Sequence, residues 1–125
     1  MLIVDTSVWI DHFRNSNSEL ISALESGIVV MHPHIIGEIS LGNIKQRDLV
    51  LNLLMDLPVA EVANESEVFD FIENNRLYGI GIGYVDVHLL ASACLSNCLL
   101  WTLDKSLSSA ASKLKILSVR KSKNN

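Results

Sequence analysis

The chain has 125 residues, of which 49% are hydrophobic and 19% charged, and it contains two cysteines. This length and composition predict one globular domain and exclude an intrinsically disordered chain. The formal net charge of −4 excludes a uniformly basic nucleic-acid coat, although residues 105–125 hold six basic residues and no acid and therefore carry +6.

Short apolar strands alternate with helices along the chain. In chain order the pattern predicts a strand at Leu2–Val4, helices at Val8–Phe13 and Ser18–Ser26, a strand at Ile28–Val30, helices at Pro33–Leu41 and Lys45–Met55, a strand at Pro58–Val62, a helix from the cap Asn64 to Tyr78, a helix at Tyr84–Ser96, a strand at Cys98–Leu103, a helix at Lys105–Leu114 and a strand at Ile116–Val119. This alternation predicts a three-layer α/β/α sandwich around a mostly parallel sheet of about four to five strands. Residues 1–120 are predicted as one domain, and residues 121–125 as a frayed basic tail.

No segment predicts secretion or membrane insertion. Asp5 interrupts the first apolar run, and no basic region precedes that run as in a signal peptide. A buried helix followed by a strand explains the apolar stretch Ile80–Trp101 better than a membrane span does. Cys94 and Cys98 lack the companions of a zinc site and are predicted as reduced core residues. We therefore predict a cytoplasmic protein without a membrane partner.

Four acidic residues stand where a parallel sheet can form a ligand site. Asp5 and Asp104 directly follow predicted strands, and ligands of open parallel sheets bind beyond the carboxyl ends of the strands. Asp86 lies in the first turn of an apolar helix, and Glu38 lies on another mostly apolar helix. An ionised carboxylate in such surroundings is costly to desolvate unless it is paired or bound to a metal, and Mg²⁺ or Mn²⁺ would compensate several at once.

Each acid also has a purely structural interpretation. Asp5 and Asp104 could be helix N-caps, since Asp often takes that role after a strand. Asp86 could complement a helix dipole, and Glu38 could face solvent at the edge of its helix.

The acids lie in four sequence blocks: LIVDTSVWID at residues 2–11, GEI at 37–39, YVDVHLLASA at 84–93 and LWTLDK at 100–105. In this order these blocks resemble the PIN domain, and more narrowly the VapC-type ribonuclease toxins of bacterial toxin–antitoxin modules. The resemblance extends from Leu2 to about Leu107. It implies a PIN-like fold and an acidic quartet, Asp5, Glu38, Asp86 and Asp104, around one or two Mg²⁺ or Mn²⁺ ions.

Individual roles follow from the same resemblance. Asp5 and Asp86 would be the most direct metal ligands, while Asp104 would complete the coordination or act through water. Glu38 would orient or deprotonate a water molecule. The hydroxyl groups that would support these ligands belong to Thr6, Ser7 and Thr102. Many relatives carry a further acid two positions after the last Asp, where this chain has Ser106, and this leaves the number of metal ions open.

The resemblance implies a metal-dependent endoribonuclease that activates water to hydrolyse RNA and is silenced by a cognate antitoxin. A homodimer is also expected. Arg14 and Lys105 are candidate contacts for the RNA phosphates, with solvated surface charges as the alternative. The apolar helices Ser18–Ser26 and Lys45–Met55 could form a dimer face and an antitoxin groove, or they could belong to the core.

Two other functions stay open on the sequence alone. The first is a non-catalytic PIN-like module that binds RNA or protein, against which the intact acidic quartet argues. The second is a small Mg²⁺-dependent phosphotransfer domain. Its dehalogenase-type form needs a second Asp where this chain has Ser7, and its receiver form needs an adjacent acidic pair after the first strand.

The remaining polar and aromatic candidates are predicted to be structural. His12, His32, His34 and His88 show no pair at the spacing of metal ligands on one helix. Trp9 and Trp101 are predicted to pack in the core rather than to stack on bases, and Val68, Phe69 and Ile72 are predicted to face inward from their helix.

Overall fold

The computed structural model describes residues 1–118 and residue 120. Within this part of the chain the elements are β1 Leu2–Val4, α1 Thr6–Asn15, α2 Ser18–Glu25, β2 Val29–Val30, α3 Pro33–Ser40, α4 Arg47–Met55, α5 Glu65–Asn75, α6 Tyr84–Ser96, β3 Leu99–Trp101 and α7 Lys105–Lys113. The predicted tail at 121–125 lies outside the described residues.

The three strands form one parallel sheet in the order β2-β1-β3. Leu2 pairs with both Val29 and Leu99, so that all three strands point the same way from a common starting edge. β1 is buried along its whole length, which fits its run of three apolar residues. The prediction of a small α/β fold with a parallel sheet is confirmed.

The sheet is narrower than the predicted four to five strands. The two outer predicted strands each contribute a single parallel bridge, Met31 to Val59 and Leu100 to Leu117. On the first side, the backbone N–H of Glu61 donates to the Ser96 hydroxyl of α6 at 2.8 Å, so the chain leaves the sheet after one bridge. On the other side, the predicted end of the strand at residue 119 lies outside the described residues.

Helix α6 is the most deeply buried helix of the described chain. All seven residues from Val87 to Ala93 are buried, which explains the long apolar stretch in the sequence without a membrane span. Among the residues that the structure describes, no helix has the length and apolar content needed to cross a bilayer. Trp9 and Trp101 are also buried, as predicted.

Two side chains predicted to be buried, those of Phe69 and Cys94, are exposed instead. Phe69 is 54% exposed and lies against the Tyr84 ring, because only the Val68 side of α5 faces the core. Cys94 is exposed, whereas Cys98 is buried, and both thiols are free.

The predicted helix to Tyr78 ends at Asn75, since Arg76 takes the left-handed conformation at φ 53°. The predicted cap Asn64 is confirmed, and it forms a capping box with Glu67.

Candidate active site

The parallel sheet brings two of the predicted acids to one edge. Asp5 directly follows β1, and Asp104 lies three residues beyond the end of β3. The two strands are neighbours, and the Asp5 N–H donates to the Trp101 carbonyl at 2.9 Å, which extends their pairing to the strand ends. Asp86 reaches the same region from the first turn of α6, and Glu38 from α3.

The Asp5 carboxylate is held by two hydroxyl groups. Its Oδ2 accepts hydrogen bonds from Ser7 Oγ at 2.7 Å and from Thr102 Oγ1 at 2.8 Å, and the residue is only 6% exposed. Asp5 occupies the N-cap position of α1, but its side chain makes no capping hydrogen bond. The structural interpretation of this carboxylate as a cap is therefore wrong, because its partners are the hydroxyls of Ser7 and Thr102 instead of the helix backbone.

Backbone N–H groups fix the direction of both hydroxyls. Ser7 Oγ accepts the N–H of Leu103, and Thr102 Oγ1 accepts the N–H of Asp104, each at 3.0 Å. Since each hydroxyl oxygen already accepts a hydrogen bond, its own proton points toward Asp5. This arrangement places both donated protons on Oδ2 and leaves Oδ1 as the oxygen of Asp5 without a protein donor among the described residues.

Thr6 supports Glu38, an assignment that the sequence alone left open. Its Oγ1 donates to Glu38 Oε1 at 2.6 Å, which links the first turn of α1 to α3. Glu38 is exposed, as its structural interpretation proposed, yet this bond fixes one of its oxygens. The second oxygen of Glu38 is open to solvent and to a ligand.

Asp104 combines two roles. Its Oδ1 accepts the N–H of Leu107 at 2.9 Å and caps α7, so the cap interpretation of this residue is confirmed. The cap uses one oxygen, and Oδ2 remains for a ligand. Because Asp104 is exposed, that oxygen is reached from solvent.

The charges of the other three acids act on the carboxyl group of Asp86. Burial raises the pKa of its carboxyl group, and the negative charges of Asp5, Asp104 and Glu38 raise it further, while the hydrogen bond from the Gly83 N–H to Oδ2 at 3.2 Å opposes the rise. Asp5, Asp104 and Glu38 are therefore close enough to Asp86 for their charges to act on its carboxyl group. A cation placed among them would offset these charges.

The two predicted RNA-binding cations lie in different places. Lys105 follows Asp104 at the start of α7 and lines a cavity of about 300 Å³ together with Ile80, Ser106, Ser109 and Lys113. Arg14 is exposed near the opposite end of α1 from Asp5, beside a separate cavity that Lys45 also lines. Arg14 lies nine positions after Asp5, which corresponds to about 14 Å along the helix axis. Lys105 is therefore next to Asp104 in the chain, whereas Arg14 lies apart from the acids.

Replacing Thr102 by Val is expected to weaken the site without removing a carboxylate. The change leaves Asp5 Oδ2 with one hydroxyl donor and the Asp104 N–H without its acceptor, so we expect activity to fall about 10- to 100-fold. Thr102→Ser keeps the hydroxyl and is the matched control. Rates of the RNA cleavage that the resemblance implies, measured for the two variants at a saturating concentration of divalent cation, check this prediction, and equal rates would contradict it.

A histidine cluster is the feature that the sequence analysis missed. One ring nitrogen from each of His32, His34 and His88 lies within 4.8 Å of the other two. The fourth histidine, His12, stands elsewhere and accepts the N–H of Asn17 at 3.0 Å. The spacing along the chain gave no signal for this cluster, because His34 and His88 are 54 positions apart and meet only through the packing of α3 against α6.

Comparison with known proteins agrees with the α/β fold. The model of the PIN domain family matches residues 2–113. Ribonuclease VapC32 of Mycobacterium tuberculosis is 43% identical over 114 residues, which cover 90% of this chain and 92% of that protein. The structure is a small α/β fold with four acids near the carboxyl edge of a parallel sheet. The chain belongs to the PIN domain family.

Two solved structures share this fold at low sequence identity. FitAcB from Neisseria gonorrhoeae superposes with a TM-score of 0.63 at 21% identity, covering 90% of this chain and 94% of that one. PAE2754 from Pyrobaculum aerophilum gives a TM-score of 0.57 at 16% identity, covering 87% and 78%. At these identities the structures support the fold alone.

Proposed function

We propose that the protein is a metal-dependent endoribonuclease and acts as the toxin of a toxin–antitoxin pair, with residues 1–120 as one nuclease domain. The observation that carries the proposal is the meeting of Asp5, Glu38, Asp86 and Asp104 near the carboxyl edge of the sheet, where the charges of the other three acids raise the pKa of Asp86. The name of the relative from M. tuberculosis, which describes a ribonuclease, supports the same activity.

The donor set suits a hard divalent cation. All four side chains are carboxylates, and at Asp5 and Asp104 one oxygen is taken by protein donors while the other remains for a ligand. Oxygen-rich sites of this kind favour Mg²⁺ or Mn²⁺ over the borderline transition metals. When bound, such an ion lowers the pKa of water and stabilises the charge that develops on the scissile phosphate.

The surroundings of the four acids indicate a different role for each, as a metal ligand or as the group that activates water. Asp5 is buried and fixed by two hydroxyls, and Asp86 is partly buried, so these two are the main metal ligands. Asp104 has one oxygen left after capping α7 and therefore contributes a single ligand atom or acts through water. Glu38 is exposed and oriented by Thr6, which suits a group that orients the attacking water and accepts its proton.

The carboxylates repel the phosphates of RNA, so binding requires positive charge nearby. Lys105, which follows Asp104, is the candidate that supplies it. Lys105→Ala is expected to weaken RNA binding several-fold and to reduce the slope of log affinity against log salt by about 0.7, the value for one contact to a single-stranded phosphate. Arg76→Ala, which removes an exposed cation at the end of α5, is the control. Affinity measured in Ca²⁺, at several salt concentrations, checks the prediction, and an unchanged slope for Lys105→Ala contradicts it.

The proposed protein partners are an antitoxin and a second copy of the chain. Exposed apolar side chains follow α3 and line α4, with Leu41 89% and Leu53 60% exposed, while Leu51 and Leu54 of the same helix are buried. A surface of this kind is typical of a protein interface. A cytoplasmic location remains a prediction.

Inducible expression of the wild type and of Asp5→Asn tests the proposed function. We expect growth arrest and discrete RNA fragments from the wild type only, because the substitution removes the best-oriented carboxylate. The purified wild type should produce the same fragments in Mg²⁺ and none in EDTA. Intact RNA in every arm would favour the non-catalytic binding module, and fragments from both chains would exclude Asp5 from catalysis.

A further inference from the structure

A second potential metal site lies between α3 and α6, distinct from the four carboxylates. His34 lies in the first turn of α3, and His88 lies on α6 two positions after Asp86, so that it points away from the acidic edge. The two rings meet edge to face, with centroids 4.4 Å apart and planes at 84°. Imidazole nitrogens are common ligands of Zn²⁺.

Both rings carry nitrogens that no other group uses. His34 Nδ1 and both ring nitrogens of His88 are buried without a hydrogen-bond partner, and the whole residue His88 is only 3% exposed. A buried polar atom without a partner costs free energy that a ligand would recover.

An acid and a third histidine complete the surroundings. Glu65 Oε1, at the exposed start of α5, lies 3.8 Å from His88 Nε2. His32 accepts the backbone N–H of His34 on Nδ1 at 3.0 Å, and its Nε2 shares a hydrogen bond with Ser92 Oγ, also 3.0 Å long. Because both of its nitrogens are engaged, His32 is a positioning residue that holds the backbone of His34 in place.

We propose that His34 and His88 bind a Zn²⁺ ion between α3 and α6, with Glu65 as the carboxylate ligand and water in the remaining position. Tetrahedral zinc bonds of about 2.0–2.1 Å bring ligand atoms closer together than the present spacing, so side-chain rotations close the site on the ion. The ion links the two helices that carry Glu38 and Asp86, and it stabilises the packing on which the acidic edge depends.

The test is a Zn²⁺ titration in competition with a chromophoric chelator, carried out on the full chain with Asp5→Asn so that the acidic site does not contribute. His34→Gln is expected to weaken binding at least about 100-fold, and Glu65→Gln about 10-fold. His12→Gln and Glu73→Gln are the matched controls for a histidine and an acid outside the cluster, and they should bind as the parent does. His88→Gln is expected to match His34→Gln.

A thermal melt separates ligand loss from misfolding. Zn²⁺ should raise the Tm of the parent and of both controls but not that of His34→Gln, whose side chain is only partly buried and whose melt without zinc should stay cooperative. Equal Zn²⁺ affinity of the parent and His34→Gln would overturn the proposal. So would the absence of Zn²⁺ binding by the parent, which would leave the cluster as aromatic packing alone.

Discussion

Asp5→Asn is expected to reduce RNA cleavage at least about a thousandfold. The carboxylate is buried and receives two hydroxyl protons on one oxygen, so an amide in its place loses the charge and turns an NH₂ group toward the remaining ligand space or toward the hydroxyl donors. Loss of several kcal/mol of electrostatic stabilisation at the reacting phosphate corresponds to a change of this size. Single-turnover cleavage of a fixed RNA at saturating Mg²⁺ measures it.

The matched control for this substitution is Asp56→Asn, which removes an exposed acid after α4. The control should cleave at the wild-type rate, since it changes the net charge equally but leaves the acidic edge intact. A thousandfold loss in both variants would show that net charge, rather than the position of Asp5, governs activity. Wild-type activity in Asp5→Asn would show that Asp5 is not part of the active site.

Asp86→Asn is expected to abolish activity and yet to stabilise the fold in the presence of a chelator. Three neighbouring carboxylates and burial act against the ionised form of Asp86. Its pKa is therefore higher in the folded protein than the ordinary value of 3.8, and the folded state binds more protons than the unfolded state between these two values. Stability falls as pH rises through that window, and the penalty is complete above it.

The Asp86→Asn substitution removes this penalty, and the amide still offers an oxygen to the Gly83 N–H. We expect Tm to rise by about 2–5 °C at pH 7 in EDTA, and the rise to disappear as pH falls below the ordinary pKa of a carboxyl group. Thermal melts of the wild type and Asp86→Asn across this pH range show whether the substitution raises or lowers Tm. A variant that is less stable than the wild type at pH 7 would show that Asp86 already has a favourable partner.

The fold and the acids were predictable to the extent that they depend on local pattern. Three consecutive apolar residues before Asp5 predicted β1, and the run that ends at Trp101 predicted β3. Parallel strands end at the same edge of a sheet, so the acids after them were expected to meet there. For Asp104 the sequence left a choice between cap and ligand, and the structure shows the cap while one oxygen stays available.

The hydroxyl network could not be derived from spacing. Ser7 and Thr102 are 95 positions apart, yet both donate to one oxygen of Asp5 because β1 and β3 are neighbours in the sheet. The resemblance to the PIN domain suggested these residues as supporting groups but not which acid each supports. Thr6 bonds to Glu38 rather than to Asp5, since the first turn of α1 directs it toward α3.

Side-chain burial and the histidine cluster depended on helix packing that the sequence does not specify. Phe69 follows the helical period of a core residue, but Val68 of the same helix is the buried residue and Phe69 is left 54% exposed. His32, His34 and His88 lack any motif spacing and converge through the contact of α3 with α6. Sequence periodicity describes one helix at a time, whereas these contacts arise between two.

Calorimetric titration of Mg²⁺ into the wild type, Asp5→Asn and Asp86→Asn tests the central claim most directly, because Mg²⁺ prefers carboxylate oxygens to the histidine cluster. We predict that the wild type binds Mg²⁺ and that each substitution weakens binding at least about tenfold, while Asp56→Asn leaves it unchanged. Failure of the wild type to bind Mg²⁺, or equal binding by all four chains, would contradict the assignment of the four acids as a metal site.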